Sequence, residues 1–182
     1  MTVKSHRLQK LVKYQSFECQ LLSLSIAGRK SADNFAVAVV YRPPSSFVVE
    51  FYDDLSDMFD KFGDAVDADK FVACGDLNCR GDNPSPVSSE LQAILDIHGL
   101  QQFVRSPTRT TPDVSSLLDV VIGRKDSSRL SYVTVQPSYH AADHDLVTWS
   151  MTTAVHSPPR RMVTYKFRSL KKVDWAKFDA NI

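Results

Sequence analysis

The chain has 182 residues, of which 43% are hydrophobic and 24% are charged, and its formal net charge is +1 at pH 7. This length fits one domain with a sizeable core, and the near-neutral charge by itself indicates neither a nucleic-acid nor an acidic partner. Three cysteines without Cys-x-x-Cys spacing indicate neither a disulfide framework nor a zinc site. No apolar run reaches the length of a membrane span and no signal peptide is evident, which predicts no membrane partner and a location in the nucleus or cytoplasm.

The charge is unevenly distributed along the chain. From Ser157 to Ile182 there are seven Lys or Arg residues against two Asp. This excess fits either a solvated tail or attraction to an anionic surface. The pair Pro158-Pro159 interrupts the preceding pattern, so we predict one domain over residues 1–155 and a basic linker or tail over residues 156–182.

Two different patterns open the chain. Residues 1–15 are polar and basic, with Leu8, Leu11 and Val12 at helical spacing, which predicts a short helix or a frayed start. Residues 16–26 then alternate between the two faces of an extended chain, which predicts a strand.

A hairpin and a helix follow. Phe35 to Tyr41 is almost wholly apolar, as in a strand covered on both faces, and it stops at Arg42-Pro43-Pro44 because proline cannot continue a ladder. With the preceding strand and the polar turn Gly28–Asn34 it forms a plausible hairpin. Ser45 or Ser46 can cap the next helix, whose apolar residues recur at spacings of three and four. These residues are Phe47, Phe51, Leu55, Met58, Phe59 and Phe62.

A short apolar strand beginning at Phe71 ends in the polar sequence Gly75-Asp76-Leu77-Asn78. Because strand side chains alternate between faces, Asp76 and Asn78 are expected to point the same way, while Leu77 points into the core. The carboxylate can accept a proton from water or bind a divalent cation, and the carboxamide can donate to an oxyanion. The pair therefore suits phosphate chemistry, although a plain turn is the alternative.

Downstream of this pair the pattern predicts one helix, from Ser88 to a closing Gly99, and four strands. The strands are Leu100–Val104, Leu117–Ile122, Leu130–Val135 and Leu146–Met151. The connecting loops are Cys79–Val87, Ser106–Asp113, Gly123–Arg129 and Ser138–Asp145. This order of elements predicts an α/β protein with two sheets and helices packed outside them.

Asp119 is anomalous because it interrupts the apolar run LLDVVI. A carboxylate in such a strand costs several kcal/mol unless a cation or hydrogen bonds compensate its charge. A histidine in turn needs an orienting carboxylate to be a good acid or phosphate binder, and Asp119 can supply it for His144. Asp143, at the same loop apex, can reach a divalent cation, for which oxygen ligands suit Mg²⁺ or Mn²⁺. The alternative for Asp143-His144 is an ordinary loop dipeptide, and for Tyr41 an ordinary aromatic at a strand end.

Four segments, in this order, resemble the motifs of one superfamily. They are Tyr41-Arg42-Pro43-Pro44, Gly75-Asp76-Leu77-Asn78, Leu118-Asp119-Val120-Val121-Ile122 and Ala142-Asp143-His144. Linking segments match as well: Leu95-Asp96, Gly99-Leu100-Gln101-Gln102 and Ser106-Pro107-Thr108-Arg109. Together they resemble the endonuclease/exonuclease/phosphatase superfamily and, more closely, the apurinic-type endonuclease domain of non-LTR (LINE-type) retrotransposons. The resemblance runs from about Phe17 to Trp149, and the tail is similar to the segment that links endonuclease to reverse transcriptase.

The resemblance implies a four-layer α/β sandwich, two mixed sheets flanked by helices, that cleaves DNA with Mg²⁺ or Mn²⁺. Asp76 resembles the base that activates water, with Asn78 as its companion. His144 resembles the phosphate-binding histidine, with Asp119 as its partner. Asp143 resembles a carboxylate near the metal, and Tyr41 resembles the tyrosine that contacts the phosphate.

The chain also departs from this family. Upstream of Tyr41 the family carries an Asn and a metal-binding Glu, and neither Glu18 nor Asn34 matches their motifs. Ala142 stands where a serine is usual. We therefore expect the N-terminal portion of the fold to be missing and nuclease activity to be weak or absent in this chain alone.

Three readings stay open. The first is a magnesium-dependent DNA endonuclease domain derived from a retrotransposon, with a reverse transcriptase as a possible partner in the parent element. The second is a non-catalytic remnant that serves as a binding or structural module. The third, a phosphoesterase for a small phosphorylated substrate, is disfavoured by the linking segments. By charge alone, Arg42 and the Arg160–Lys172 cluster are the candidate DNA contacts.

Overall fold

The computed structural model describes residues 3–26, 35–44, 48–65, 68–79, 88–138 and 142–152. The strands are β1 (Val3–Lys13), β2 (Glu18–Ile26), β3 (Phe35–Tyr41), β4 (Phe71–Asp76), β5 (Leu100–Gln102), β6 (Arg109–Thr110), β7 (Ser115–Ser116), β8 (Asp119–Arg124), β9 (Leu130–Gln136) and β10 (Leu146–Met151). The helices are α1 (Val48–Ala65) and α2 (Ser89–Ile97), and a 3₁₀ turn over Ala68–Lys70 leads into β4. None of the helices in these ranges is long and apolar enough to cross a membrane.

A six-stranded mixed sheet organises the described part of the chain. Its strand order is β1-β2-β3-β4-β8-β5, in which β3 and β4 run parallel and the other neighbours run antiparallel. Two further sheets have two strands each, β9 with β10 and β6 with β7. The predicted α/β architecture with more than one sheet is confirmed. The predicted absence of an N-terminal portion stays a prediction.

The helix predicted over residues 1–15 is wrong. Residues 3–13 form strand β1, which pairs antiparallel with β2 and places Leu8 opposite Leu22 and Val12 opposite Cys19. Three apolar residues at helical spacing give only a weak preference, and pairing along an open edge of β2 supplies a ladder of hydrogen bonds that overrides it.

Smaller differences concern the element boundaries. The loop predicted over 106–113 contains strand β6, which pairs with β7, and β8 continues to Arg124, into the predicted turn. The predicted caps Ser45 and Ser46, the turn over 28–34, most of the 79–87 loop and the tail from residue 153 onward lie outside the described residues. The predicted start of α2 is confirmed, since the Ser88 hydroxyl accepts a hydrogen bond from the Leu91 amide.

Helix α1 covers one face of the large sheet. Its apolar stripe is buried and comprises Phe51, Leu55, Met58, Phe59 and Phe62. Rings of Phe59 and Phe62 contact Phe71 of β4, and the Met58 sulfur lies 3.8 Å from that of Cys19 on β2. Burial of each such side chain contributes about 1.5–3 kcal/mol. The spacing predicted from sequence therefore gives the helix its core face.

The hairpin of β9 and β10 packs against the same core from the other side of the sheet. Its inward residues Leu130, Val133, Val135, Val147, Trp149 and Met151 belong to or contact the core. A Cβ on Gly123 of β8 would stand 3.1 Å from the Leu130 side chain. Gly123 shares its face of β8 with Val121 and Asp119, so the hairpin covers the face on which Asp119 lies.

Strands β3 and β4 approach too closely at Gly75 for any side chain. Gly75 has φ +135°, and a Cβ there would lie 1.9 Å from the Val40 carbonyl oxygen. Glycine is thus required one residue before Asp76 by contact and by backbone conformation. Gly99, after α2, also has positive φ (+63°), but nothing lies within 4 Å of its would-be Cβ.

These two glycines give a matched stability test. We expect Gly75→Ala to lower the free energy of unfolding by more than about 3 kcal/mol, because the methyl collides with backbone that is fixed in a ladder. Gly99→Ala should cost only about 1–2 kcal/mol, the ordinary penalty for a left-handed residue. Urea denaturation measures both. Equal losses would contradict the close approach of β3 to β4.

Candidate active site

The register of the large sheet brings polar residues together at one end. Tyr41 pairs with Asp76, and Asp76 pairs with Asp119, across the neighbouring strands β3, β4 and β8. Glu18 pairs with Tyr41 on the other side. Paired residues share a face of the sheet, so the four side chains form one row on the face opposite α1. Glu18 does not match the family motif of the metal-binding Glu, and the sequence did not predict that it lies in this row.

Asp76 and Asn78 lie side by side, although through a turn and not through strand alternation. Strand β4 ends at Asp76, and Asn78, two residues later, has φ +48°. Its backbone N–H donates to Asp76 Oδ1 at 2.8 Å, and its Nδ2 donates to Asp76 Oδ2 at 3.1 Å and to the Arg42 carbonyl at 2.8 Å. Both oxygens of the Asp76 carboxylate are therefore oriented by Asn78.

Arg42 braces this turn from inside the protein. It is 6% exposed, and its Nη1 donates to the Leu77 carbonyl at 3.4 Å and to Cys79 Sγ at 3.3 Å. Its guanidinium carbon lies 4.3 Å from the centre of the Phe51 ring. Burial of this side chain contradicts its assignment as a DNA contact, which rested on charge alone. It also shows that a basic residue just after a strand can stabilise the fold by hydrogen-bonding to buried groups.

Asp119 contacts His144, as the sequence suggested. His144 Nδ1 lies 2.8 Å from Asp119 Oδ2, and both side chains are half-buried. The carboxylate accepts from the ring N–H at Nδ1, which leaves Nε2 available for other partners. Single ligand atoms of Asp76, Asp119 and His144 all lie within 4.8 Å of one another.

Asp143 is placed differently. Its Oδ2 accepts from Arg109 Nε and Nη2, each at 2.8 Å, and the exposed carboxylate stands outside the Asp76–Asp119–His144 group. The hydrogen bond from Arg109 holds the pKa of Asp143 below its ordinary value. Its role as a metal ligand stays a prediction. Tyr41, 47% exposed, is beside Asp76 in the row and has its side chain open to a ligand.

Burial controls the electrostatics at the centre of the site. Desolvation raises the pKa of the Asp76 carboxyl above its ordinary value, and the nearby charge of Asp119 raises it further. The hydrogen bonds from Asn78 and the charge of His144 act in the opposite direction. A partly buried carboxylate whose pKa is raised in this way is suited to bind a proton or a cation.

The donor set fits one divalent cation. A six-coordinate ion with ligands at about 2.0–2.2 Å holds its ligand atoms roughly 3–4.4 Å apart, close to the spacing of this group. Two carboxylates with an imidazole suit Mn²⁺, and two carboxylates with water suit Mg²⁺. Asp76 and Asp119 are thus the residues able to hold the ion, with His144 as a ligand or as a separate donor.

No protein-family model matches the sequence, and no curated protein matches it. Among solved structures, the fold is similar to the endonuclease domain of TRAS1, a telomere-specific non-LTR retrotransposon, with a TM-score of 0.58 and 15% identity over 78% of this chain and 66% of that chain. The human Nocturnin catalytic domain with bound sulfate is also similar, with a TM-score of 0.48 and 17% identity over 83% of this chain and 60% of that chain. The first likeness confirms the expected fold. The chain spans about two thirds of that endonuclease domain.

The site carries a stability test with a predicted sign. Because its folded-state pKa is raised, the Asp76 carboxyl favours folding below its unfolded pKa, and this contribution is lost as pH rises through the folded value. In metal-free buffer, the stability of Asp76→Asn relative to the wild type should therefore increase as pH rises above the unfolded carboxyl pKa of about 4. Urea denaturation across this range measures the difference.

Asp143→Asn is the matched control with the opposite sign. The depressed pKa of Asp143 stabilises the fold above its unfolded value and is lost as pH falls, so this variant should lose stability relative to the wild type as pH rises. The same pH slope for both variants would contradict the assigned environments.

Proposed function

We propose that this chain is an endonuclease-type domain, of retrotransposon origin, that hydrolyses phosphodiester bonds in DNA with Mg²⁺ or Mn²⁺. The supporting observation is the group formed by Asp76, Asp119 and His144, whose ligand atoms lie within 4.8 Å at the ends of β4 and β8. The likeness in fold to a retrotransposon endonuclease domain supports the nuclease class.

Asp76 is the proposed base and Asn78 its orienting partner. Asn78 fixes both carboxylate oxygens of Asp76 by donating to each, and a carboxylate oriented in this way can accept a proton from an attacking water. A divalent ion held by Asp76 and Asp119 would polarise the phosphodiester and neutralise charge on its oxygens. The Nδ2 group of Asn78 also donates to the Arg42 carbonyl, so its two N–H groups are used within the protein and Asn78 is proposed only as an orienting residue.

His144 and Tyr41 are the proposed phosphate contacts. Asp119 holds the His144 ring at Nδ1, which presents Nε2 to a phosphate oxygen. Tyr41 is half-exposed beside Asp76 and offers its hydroxyl to the same group. The two side chains would bind the scissile phosphate while Asp76 accepts a proton from the attacking water. Asp143 is paired with Arg109 and would have to break that ion pair to bind the metal directly. We propose it as a carboxylate near the metal.

The proposed setting is a larger element-encoded protein acting in the nucleus or cytoplasm. The chain spans 66% of the TRAS1 endonuclease domain. The alternative is a catalytically impaired module that binds DNA through the same face. A reverse transcriptase domain is the proposed partner in the parent element, following the resemblance of the basic tail.

Plasmid nicking distinguishes the two candidates. We expect the folded chain to nick supercoiled DNA slowly with Mg²⁺ or Mn²⁺, and EDTA to stop it. Asp76→Ala and His144→Ala should each reduce the rate by at least about 100-fold, the usual contribution of a positioned base or acid. Asp126→Ala, an exposed carboxylate beyond the far end of β8, is the control and should retain the wild-type rate.

The outcomes have different meanings. Nicking that survives both site variants would show a contaminating or different activity and would refute this site. A well-folded wild-type chain that binds DNA without nicking it would refute the enzyme and support the impaired module.

A further inference from the structure

Thr108 is a fully buried hydroxyl next to the site. It lies in the loop before β6, is 0% exposed, and its Oγ1 accepts hydrogen bonds from the backbone N–H groups of Leu118 at 3.1 Å and Asp119 at 3.0 Å. One side-chain oxygen thus satisfies two successive amides where the chain enters β8. Orphaned amides at a buried position are costly, so this hydroxyl fixes the backbone that carries the Asp119 carboxylate.

The backbone of Thr108 binds the other half of the site. Its carbonyl accepts from the Asp145 N–H at 2.7 Å, and its own N–H donates to the Ser116 carbonyl at 2.9 Å. The next residue, Arg109, forms a β-bridge with His144 and an ion pair with Asp143. Residues 108–109 therefore lie between the strand that carries Asp119 and the loop that carries His144.

We infer that Thr108 is a positioning residue that sets the Asp119–His144 hydrogen bond. It hydrogen-bonds to backbone groups of the segments on both sides of that bond. Its effect on catalysis rests on the proposed function, whereas its effect on the His144 ring does not. The chain gives no sequence signal for this role beyond a threonine in the segment Ser106-Pro107-Thr108-Arg109.

The geometry explains why the hydroxyl matters more than the bulk of the side chain. Valine at position 108 has nearly the shape of threonine and leaves the Leu118 and Asp119 amides without their acceptor. The entry to β8 must then move to find other partners, and the Asp119 carboxylate moves with it. A displacement of about 1 Å suffices to disturb a catalytic hydrogen bond.

The test compares Thr108→Val, which removes the acceptor, with Thr108→Ser, which keeps it. Gln102→Leu is the control, because Gln102 is also buried and its carboxamide oxygen accepts from the backbone amides of Val104 and of Val121, a residue of β8 two positions beyond Asp119. The first readout is the nitrogen NMR spectrum of histidine-labelled protein about two pH units above the ordinary histidine pKa. His144→Gln assigns the signal.

We expect the wild type, Thr108→Ser and Gln102→Leu to show His144 protonated at Nδ1, as its bond to Asp119 requires. Thr108→Val should show a mixture of the two neutral tautomers. In the nicking assay, Thr108→Val should lower kcat by about tenfold or more with little change in KM, and Thr108→Ser should restore it. These paired results would establish the positioning role.

Other outcomes overturn it. If folded Thr108→Val keeps the wild-type His144 signal, Thr108 does not set the bond. If Gln102→Leu changes the signal equally, the effect is one of general stability. If Thr108→Val does not fold, Thr108→Ala replaces it, and failure of both to fold would make the hydroxyl a folding requirement and refute the positional role. A wild-type chain that does not nick DNA would refute the proposed function, while the NMR comparison still decides the inference.

Discussion

The ladder between β4 and β8 is the constraint on which the site depends. It places Asp76 directly opposite Asp119, so two carboxylates face each other at the end of an otherwise apolar pair of strands. Desolvation raises the pKa of the Asp76 carboxyl, and repulsion from the like charge of Asp119 raises it further. The arrangement is tolerable because Asn78 donates to one carboxylate and His144 binds the other. A divalent cation would neutralise both, which is why the geometry and the proposed chemistry agree.

Two buried polar side chains hold the two halves of this site. Arg42 braces the turn that follows Asp76, through the Leu77 carbonyl and the Cys79 sulfur. Thr108 supports the opposite half, at the entry to β8. Both side chains are buried and hydrogen-bond to backbone or side-chain groups close to the site. Buried residues therefore fix the positions of the carboxylates in the row. Gly75 contributes by allowing β3 and β4 to approach closely.

Sequence reasoning succeeded where a residue violated its local pattern. A carboxylate in the apolar run around Asp119 demanded a partner, and the structure supplies His144. It failed where pairing between two segments determines the secondary structure. Residues 3–13 form a strand along the open edge of β2, although the spacing of their apolar residues weakly favours a helix. It also missed Thr108, because a threonine in a proline-containing loop resembles any other turn residue. Arg42 and Cys79, which are 6% and 5% exposed, show that burial at a strand end is set by tertiary packing.

The most direct test of the central claim is the binding of Mn²⁺ followed by electron paramagnetic resonance. The account predicts that a single ion binds to the wild type and that Asp76→Asn and Asp119→Asn each weaken its affinity at least about tenfold, as losses around a metal site do. Asp126→Asn, remote from the row, should bind as the wild type does. Wild-type affinity in both site variants, or equal weakening in the remote one, would show that the paired carboxylates of β4 and β8 do not form the metal site.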